Sequence, residues 1–255
     1  MLLPRLYAIL DAGCFADADA IFTAADELAA AGVTLLQYRN KSGSARQMLE
    51  QARELKRRLS HPNATLGWGT RGPFTLIMND RADLCLAADF DGLHIGQDDL
   101  SPEAARRIIG YGDPQGLKPL PAMHRIGTAE AVPFPDTCGM FSPNHAANKS
   151  GNPRLLGVST HSPEQLADAD KTSADYLAIG PVFATSSKTN PDPVVGVEGV
   201  RRARELTRKP LVAIGGITRA NARSVIDAGA DAVAVISDLL REPRKSAEEF
   251  LRILG

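Results

Sequence analysis

An excess of either charge is missing from this chain, whose 255 residues set 29 lysines and arginines against 30 aspartates and glutamates. A balanced chain has no net field with which to gather nucleic acid or an anionic membrane, so an anion site must be built locally and a small-molecule partner is expected. Cysteine is scarce as well. Cys14, Cys85 and Cys138 are odd in number and include no CxxC pair, which argues against a disulfide framework and fits a reducing, cytoplasmic compartment. Each reads as a small buried hydrophobe. Long apolar runs are absent too: MLLPRLYAILDAG is broken by Arg5 and Asp11 before a signal-peptide core can form. No run approaches the roughly 20 residues that would cross a bilayer.

What the chain does have is alternation. With 44% hydrophobic residues it can bury a large core, and a single domain spanning residues 1–255 is expected. Short apolar runs at 6–11, 34–39, 74–80, 92–97, 155–160, 176–180, 211–217 and 232–237 read as strands, each followed by a helical pattern. Helix starts carry physical signals. Ser44 with Gln47 and Ser162 with Gln165 suit capping boxes, and Pro102 and Pro163 suit first-turn positions. Glycines after the alanine-rich runs AAAGV and DAGAD suit helix ends. Eight strand-helix units in one domain point to an α/β fold, a (β/α)8 TIM barrel, with a doubly wound open sheet as the structural rival.

Two stretches interrupt the rhythm, residues 60–72 and about 110–153. Both follow a helix and precede a strand, which places them as insertions on the N-terminal face of a barrel, away from the usual chemistry. His124, Cys138 and His145 in the second match no zinc-ligand spacing.

The strands turn polar at their C-terminal ends. Asp11 ends the first, Arg39 and Lys41 follow the second, Asn79 and Asp80 the third, and Gln97 and Asp99 the fourth. Ser159 and His161 end the fifth, Thr185, Ser187 and Lys188 follow the sixth, Gly215 and Gly216 the seventh, and Ser237 the eighth. In a barrel these ends share one rim. Gln37, Arg39 and Lys41 stand at alternate positions, so an extended chain aims all three the same way. The glycine pair and Ser237 suit a phosphate held by backbone N–H groups, and Asp80 with Asp99 suit Mg²⁺. Arg39, Lys41 and Lys188 read as cations without a matching set of local anions, as a diphosphate ligand would require.

Taken in order, QYRNK, NDRADLCLAADFDGLHIGQDDL, GVSTHS, ADYLAIGPVFATSSKTNPDP, AIGGI and VISDLL resemble the thiamine phosphate synthase family. The similarity covers nearly the whole chain apart from the two insertions. It implies a (β/α)8 barrel that condenses a pyrimidine diphosphate with a thiazole phosphate, releasing pyrophosphate. Gln37, Arg39, Lys41, Asn79, Ser159 and Lys188 would then hold the pyrimidine diphosphate, with Arg39, Lys41, Ser159 and Lys188 acting in catalysis. Asp80 and Asp99 would hold Mg²⁺, and Thr185, Ser187, Gly216, Ile236 and Ser237 the thiazole phosphate. Ser187 stands where the family usually has threonine and keeps the hydroxyl. The implied chemistry is dissociative and needs no general base, so His94 and His161 are expected to be structural or to touch substrate. Residues 189–199 form a Pro- and Gly-bearing loop expected to close over the diphosphate. Two other readings stay open: a thiazole tautomerase using His161, and a non-catalytic binder of thiamine precursors.

Overall fold

The computed structural model describes residues 3–60, 74–110, 148, 151–185 and 192–255. Eight strands alternate with helices: β1 (Leu6–Asp11), α1 (Ala18–Ala31), β2 (Leu35–Arg39), α2 (Ala45–Leu59), β3 (Thr75–Asn79), α3 (Ala82–Ala87), β4 (Gly92–Ile95) and α4 (Pro102–Ile109) lead. The second half runs β5 (Leu155–Thr160), α5 (Pro163–Asp170), β6 (Tyr176–Ile179), α6 (Gly196–Leu206), β7 (Leu211–Ile214), α7 (Ala222–Asp227), β8 (Ala232–Val235), α8 (Ser237–Leu240) and α9 (Pro243–Leu254). Every strand pairs in parallel with the next, and β8 returns to β1 with Ala234 opposite Tyr7, closing the barrel. The open-sheet rival is excluded.

Strand parity sorts the side chains into two cores. Leu36, Leu76, Leu93, Leu156 and their equivalents face outward and pack under the helices. Tyr7, Ile9, Leu35, Ile77, Tyr176 and Val212 fill the barrel interior. One interior contact is especially tight. Gly157 stands opposite Tyr176, and a Cβ there would lie 2.1 Å from the ring Cζ of Tyr176. Glycine is required at that position by space alone.

The N-terminal face is held by a device used three times. Asp91, Asp175 and Asp231 each precede a strand, and each carboxylate accepts from the backbone N–H of Leu76, Leu156 or Leu211 at 2.9, 2.7 and 2.7 Å. Each also meets a cation from the helix before that neighbouring strand: Lys56 at 2.9 Å, Arg106 at 2.5 Å and Arg204 at 2.8 Å. The carboxylates thereby tie β3 to β4, β5 to β6 and β7 to β8 while anchoring α2, α4 and α6.

Local signals bear out several helix starts. Ser44 and Gln47 make a reciprocal capping box, and Gly32 ends α1 at φ 108°. The second expected box is incomplete. Ser162 accepts from the Gln165 N–H, but the Gln165 side chain reaches past it to the N–H of His161 at 2.7 Å. Several strands also end earlier than the apolar runs, because Gly215 and Gly216 turn the chain at φ 97° and 62°, and Ile236 leaves the ladder to open α8. Nearly all of both expected insertions lies outside the described residues, together with His124, Cys138 and His145. The described flanks of each are a helix end and a strand start. Among the described residues no helix is long and apolar enough to cross a membrane.

Candidate active site

Residues at the C-terminal strand ends build the site. On β2 the two-residue period turns Gln37 and Arg39 to the interior side, and Arg39 is paired in register with Asp11 of β1. Its guanidinium donates to the Asp11 carboxylate. Lys41 lies just past the strand and donates to Asp80 Oδ2 at 2.5 Å. Asp80 adopts a left-handed backbone, φ 59°, which aspartate tolerates better than most residues. Its N–H still bonds the His94 carbonyl at 2.8 Å, so the turn is fixed to β4. Asp99 Oδ2 accepts from the Gly96 N–H at 2.7 Å, holding the loop that follows β4.

The expected surplus of cations is therefore corrected for the two described ones. Strand register places Asp11 against Arg39, and the Asp80 turn places a carboxylate against Lys41. Burial pushes the Asp80 carboxyl up, Lys41 pulls it down, and the Asp99 carboxyl beside it pushes it up again; the net direction is upward. Two carboxylates that oppose each other's ionisation fit a divalent cation. Hard oxygen donors suit Mg²⁺, which takes one or two protein carboxylates and completes its octahedron with phosphate and water. Among the described residues no group of three or more acidic, histidine or cysteine side chains could hold a metal without such help.

Inside the mouth runs a buried polar chain. Gln37 Nε2 donates to Tyr7 Oη at 2.9 Å, the Tyr7 and Tyr176 hydroxyls meet at 2.9 Å, Tyr176 Oη lies 3.0 Å from His94 Nδ1, and His94 Nε2 lies 2.8 Å from Ser159 Oγ. Burial lowers the His94 imidazole to about 4 and drives both tyrosines upward, so all three stay neutral at pH 7. Gln97 caps the arrangement by donating to the Ser159 carbonyl at 2.5 Å. His161 is held otherwise: its Nδ1 donates to the Gly180 carbonyl at 2.7 Å and lies 3.6 Å from Asp192. Both histidines are anchored by hydrogen bonds within the barrel mouth.

The opposite arc of the rim is made of backbone. A Cβ on Gly216 would lie 2.4 Å from the Ala184 carbonyl and 2.8 Å from Phe183, so the β6 loop, which continues to Thr185, presses on the turn after β7. Phe183 N–H bonds the Gly215 carbonyl at 3.0 Å and fixes that contact. Ile236 packs on the interior cluster and Ser237 begins α8. Asn79 ends β3 opposite His94. Ser187 and Lys188 lie outside the described residues, as do residues 189–191 of the expected closing loop.

Sequence reasoning missed Tyr7 and Tyr176 as site components, because an aromatic residue in a strand reads as core. The available signal was parity: Tyr7 shares the inward face with Asp11, and Tyr176 stands opposite a glycine. A recess of about 560 Å³ lined by Asp170, Glu205, Leu206, Thr207, Arg208 and Lys209 lies where α6 returns to β7. It is at the other end of the barrel and has no part in the rim.

The chain matches the family profile described as "Thiamine monophosphate synthase" over residues 6–113 and 140–239. It is 53% identical to the thiamine-phosphate synthase of Koribacter versatilis, covering 99% of this chain and 96% of that one. It is 37% identical to that of Chloroflexus aurantiacus, covering 91% and 83%. Among solved structures it superposes on thiamine phosphate pyrophosphorylase from Pyrococcus furiosus with a TM-score of 0.67 at 27% identity, covering 98% of this chain and 95% of that one.

Proposed function

The chain belongs to the thiamine monophosphate synthase family, and from that premise we propose a site-level account of how it makes thiamine phosphate. The substrates are 4-amino-2-methyl-5-(diphosphomethyl)pyrimidine and 4-methyl-5-(2-phosphoethyl)thiazole. The observation that carries the reading is the rim set of Arg39 and Lys41, each poised on a carboxylate, Asp11 or Asp80, with Asp99 facing Asp80. That combination suits a diphosphate escorted by a divalent cation and has little use for an uncharged ligand.

Asp80 and Asp99 would hold Mg²⁺, which supplies positive charge to the diphosphate oxygens. Arg39, Lys41 and Lys188 serve the same developing charge from the protein side, with Asn79 and Ser159 as neutral donors. Arg39 and Lys41 exchange their carboxylate partners for, or share them with, the ligand. In the reaction the bond from the exocyclic methylene to the diphosphate oxygen breaks, and its electron pair leaves with pyrophosphate. The 4-amino group donates electron density into the ring, and the thiazole nitrogen's lone pair then forms the new carbon–nitrogen bond. No proton changes hands at the reacting atoms, so no general base is called for. The protein's work is to stabilise the leaving group, align the two reactants and exclude water.

Thr185, Ser187, Gly216, Ile236 and Ser237 take the thiazole phosphate. The tight stacking of the β6 loop on the Gly215–Gly216 turn supports this, because it brings a hydroxyl and backbone together near a barrel rim's usual phosphate position. The protein is read as a cytoplasmic enzyme with small-molecule substrates and no nucleic-acid or membrane partner.

The test is to incubate purified protein with both substrates and Mg²⁺, and to follow thiamine phosphate by oxidation to its fluorescent thiochrome, with a no-metal control. Magnesium-dependent product is expected. Tight thiazole phosphate binding without product would replace this reading with that of a tautomerase or a binding protein.

A further inference from the structure

The buried chain from Gln37 to Ser159 has four hydrogen bonds, at 2.9, 2.9, 3.0 and 2.8 Å. Four protons serve them: one on the Gln37 amide, one on each tyrosine hydroxyl and one on the neutral His94 ring. An amide nitrogen only donates, so the first bond runs from Gln37 to Tyr7. Tyr7 is buried, and the partner available for its own proton is Tyr176. Tyr176 then donates to His94 Nδ1, and His94 must donate from Nε2 to Ser159. With Gln37 Nε2 facing Tyr7, reversing the middle link alone would leave the Tyr7 proton without an acceptor, at the cost of an unpaired buried group; a reversal must run through the whole chain and turn the Gln37 amide over with it. Ser246 Oγ is the buried polar side-chain atom without a partner among the described residues, and it lies far from this chain on α9.

We infer that Tyr7, Tyr176 and His94 are positioning residues that fix the donor–acceptor sense of Gln37 and Ser159 together, as one unit. The inference rests on the assignment of Gln37 and Ser159 to the pyrimidine diphosphate. Because the Ser159 oxygen is taken by His94 N–H, the serine proton is free and the hydroxyl is a donor, as an anionic ligand requires. Because Gln37 Nε2 is turned to Tyr7, its amide keeps Oε1 and one N–H for a ligand. That pair complements an aminopyrimidine edge, which offers an amino donor next to a ring-nitrogen acceptor. A reversed chain would take the proton of Ser159 and flip the Gln37 amide in the same event. Anion binding at one end and base reading at the other are therefore coupled through the barrel. Ring geometry supports a fixed arrangement: His94 stacks on Tyr176 with centroids 5.6 Å apart, and Tyr7 meets Tyr176 edge-on at 6.0 Å.

The test combines long-range ¹H–¹⁵N spectra of His94 in the resting protein with the KM for each substrate. The wild type should show a single neutral Nε2–H tautomer. Tyr176→Phe should give a tautomer mixture and raise the KM for the pyrimidine diphosphate about 10- to 100-fold, leaving that for the thiazole phosphate unchanged. Tyr7→Phe should raise the same KM while His94 stays Nε2–H, a difference that packing damage would not produce. It also serves if Tyr176→Phe fails to fold. A neutral Nδ1–H or a cationic His94 in active wild type would overturn the chain while leaving the synthase reading intact. Equal KM rises for both substrates would overturn it too. Nε2–H in a protein that makes no thiamine phosphate would uphold the chain's direction and remove the functional reading.

Discussion

Arg39 and His94 show how a residue's partners decide what it can do. Arg39 pairs with Asp11 on a half-buried rim, so its charge is already oriented before any ligand arrives. Arg39→Ala or Lys41→Ala should lower kcat by about 10²–10³, roughly 3–4 kcal/mol of barrier, as loss of an electrostatic donor does; steady-state rates at saturating Mg²⁺ measure it. His94 is buried, and burial lowers its imidazole to about 4. A base depressed in the fold contributes stability above its unfolded value near 6.5, and that stability is lost as pH falls from there toward 4. Denaturant unfolding should show a loss on the order of 3 kcal/mol across this window, and His94→Gln should flatten it. Residue identity made the rim charges legible in the sequence. Their pairing was not, because Asp11 and Arg39 are 28 positions apart and only strand register joins them.

At the scale of elements, the three strand-leading aspartates tie neighbouring strands and helices together on the N-terminal face. Asp175 meets the most buried cation of the three. It accepts both the Leu156 N–H and the guanidinium of Arg106, whose side chain is 3% exposed. Asp175→Asn keeps an acceptor, and Arg106 keeps the Arg154 and Ser173 carbonyls, so loss of a carboxylate that is itself 38% exposed should cost about 1–3 kcal/mol in urea unfolding. Asp231→Asn, on a more exposed pair, should cost less than half as much. Kinetic constants at low temperature should be unchanged in both, since the clamps sit at the end opposite the rim. Helix starts such as Ser44–Gln47 were readable because a cap is a local event. The clamps were not, because aspartate before a strand reads as an ordinary turn residue until the neighbouring strand's N–H and the preceding helix's cation are placed beside it.

The whole molecule depends on closure. Eight alternations were countable, but an open sheet has the same period, and the β1–β8 pairing that seals the barrel joins residues more than 220 positions apart. Once sealed, the strands share one interior core, so a ligand at the rim should raise the melting temperature of the entire barrel. Mg²⁺ with inorganic pyrophosphate should do so in a concentration-dependent way, and Asp80→Asn or Asp99→Asn should abolish the shift in a thermal melt. Asp80→Asn should nevertheless be neutral or stabilising without metal at pH 7. The fold raises the Asp80 carboxyl, so it favours the uncharged form and loses that preference as pH rises through the folded pKa.

Gly157 and Tyr176 have a consequence for descent. Alanine at 157 would strike the Tyr176 ring at 2.1 Å, so the ring must shrink before the glycine can change. Shrinking the ring removes the hydroxyl that joins Tyr7 to His94. The order of change is therefore fixed: position 157 can gain a side chain only after position 176 has lost its ring, and a lineage that keeps the buried chain keeps the glycine with it.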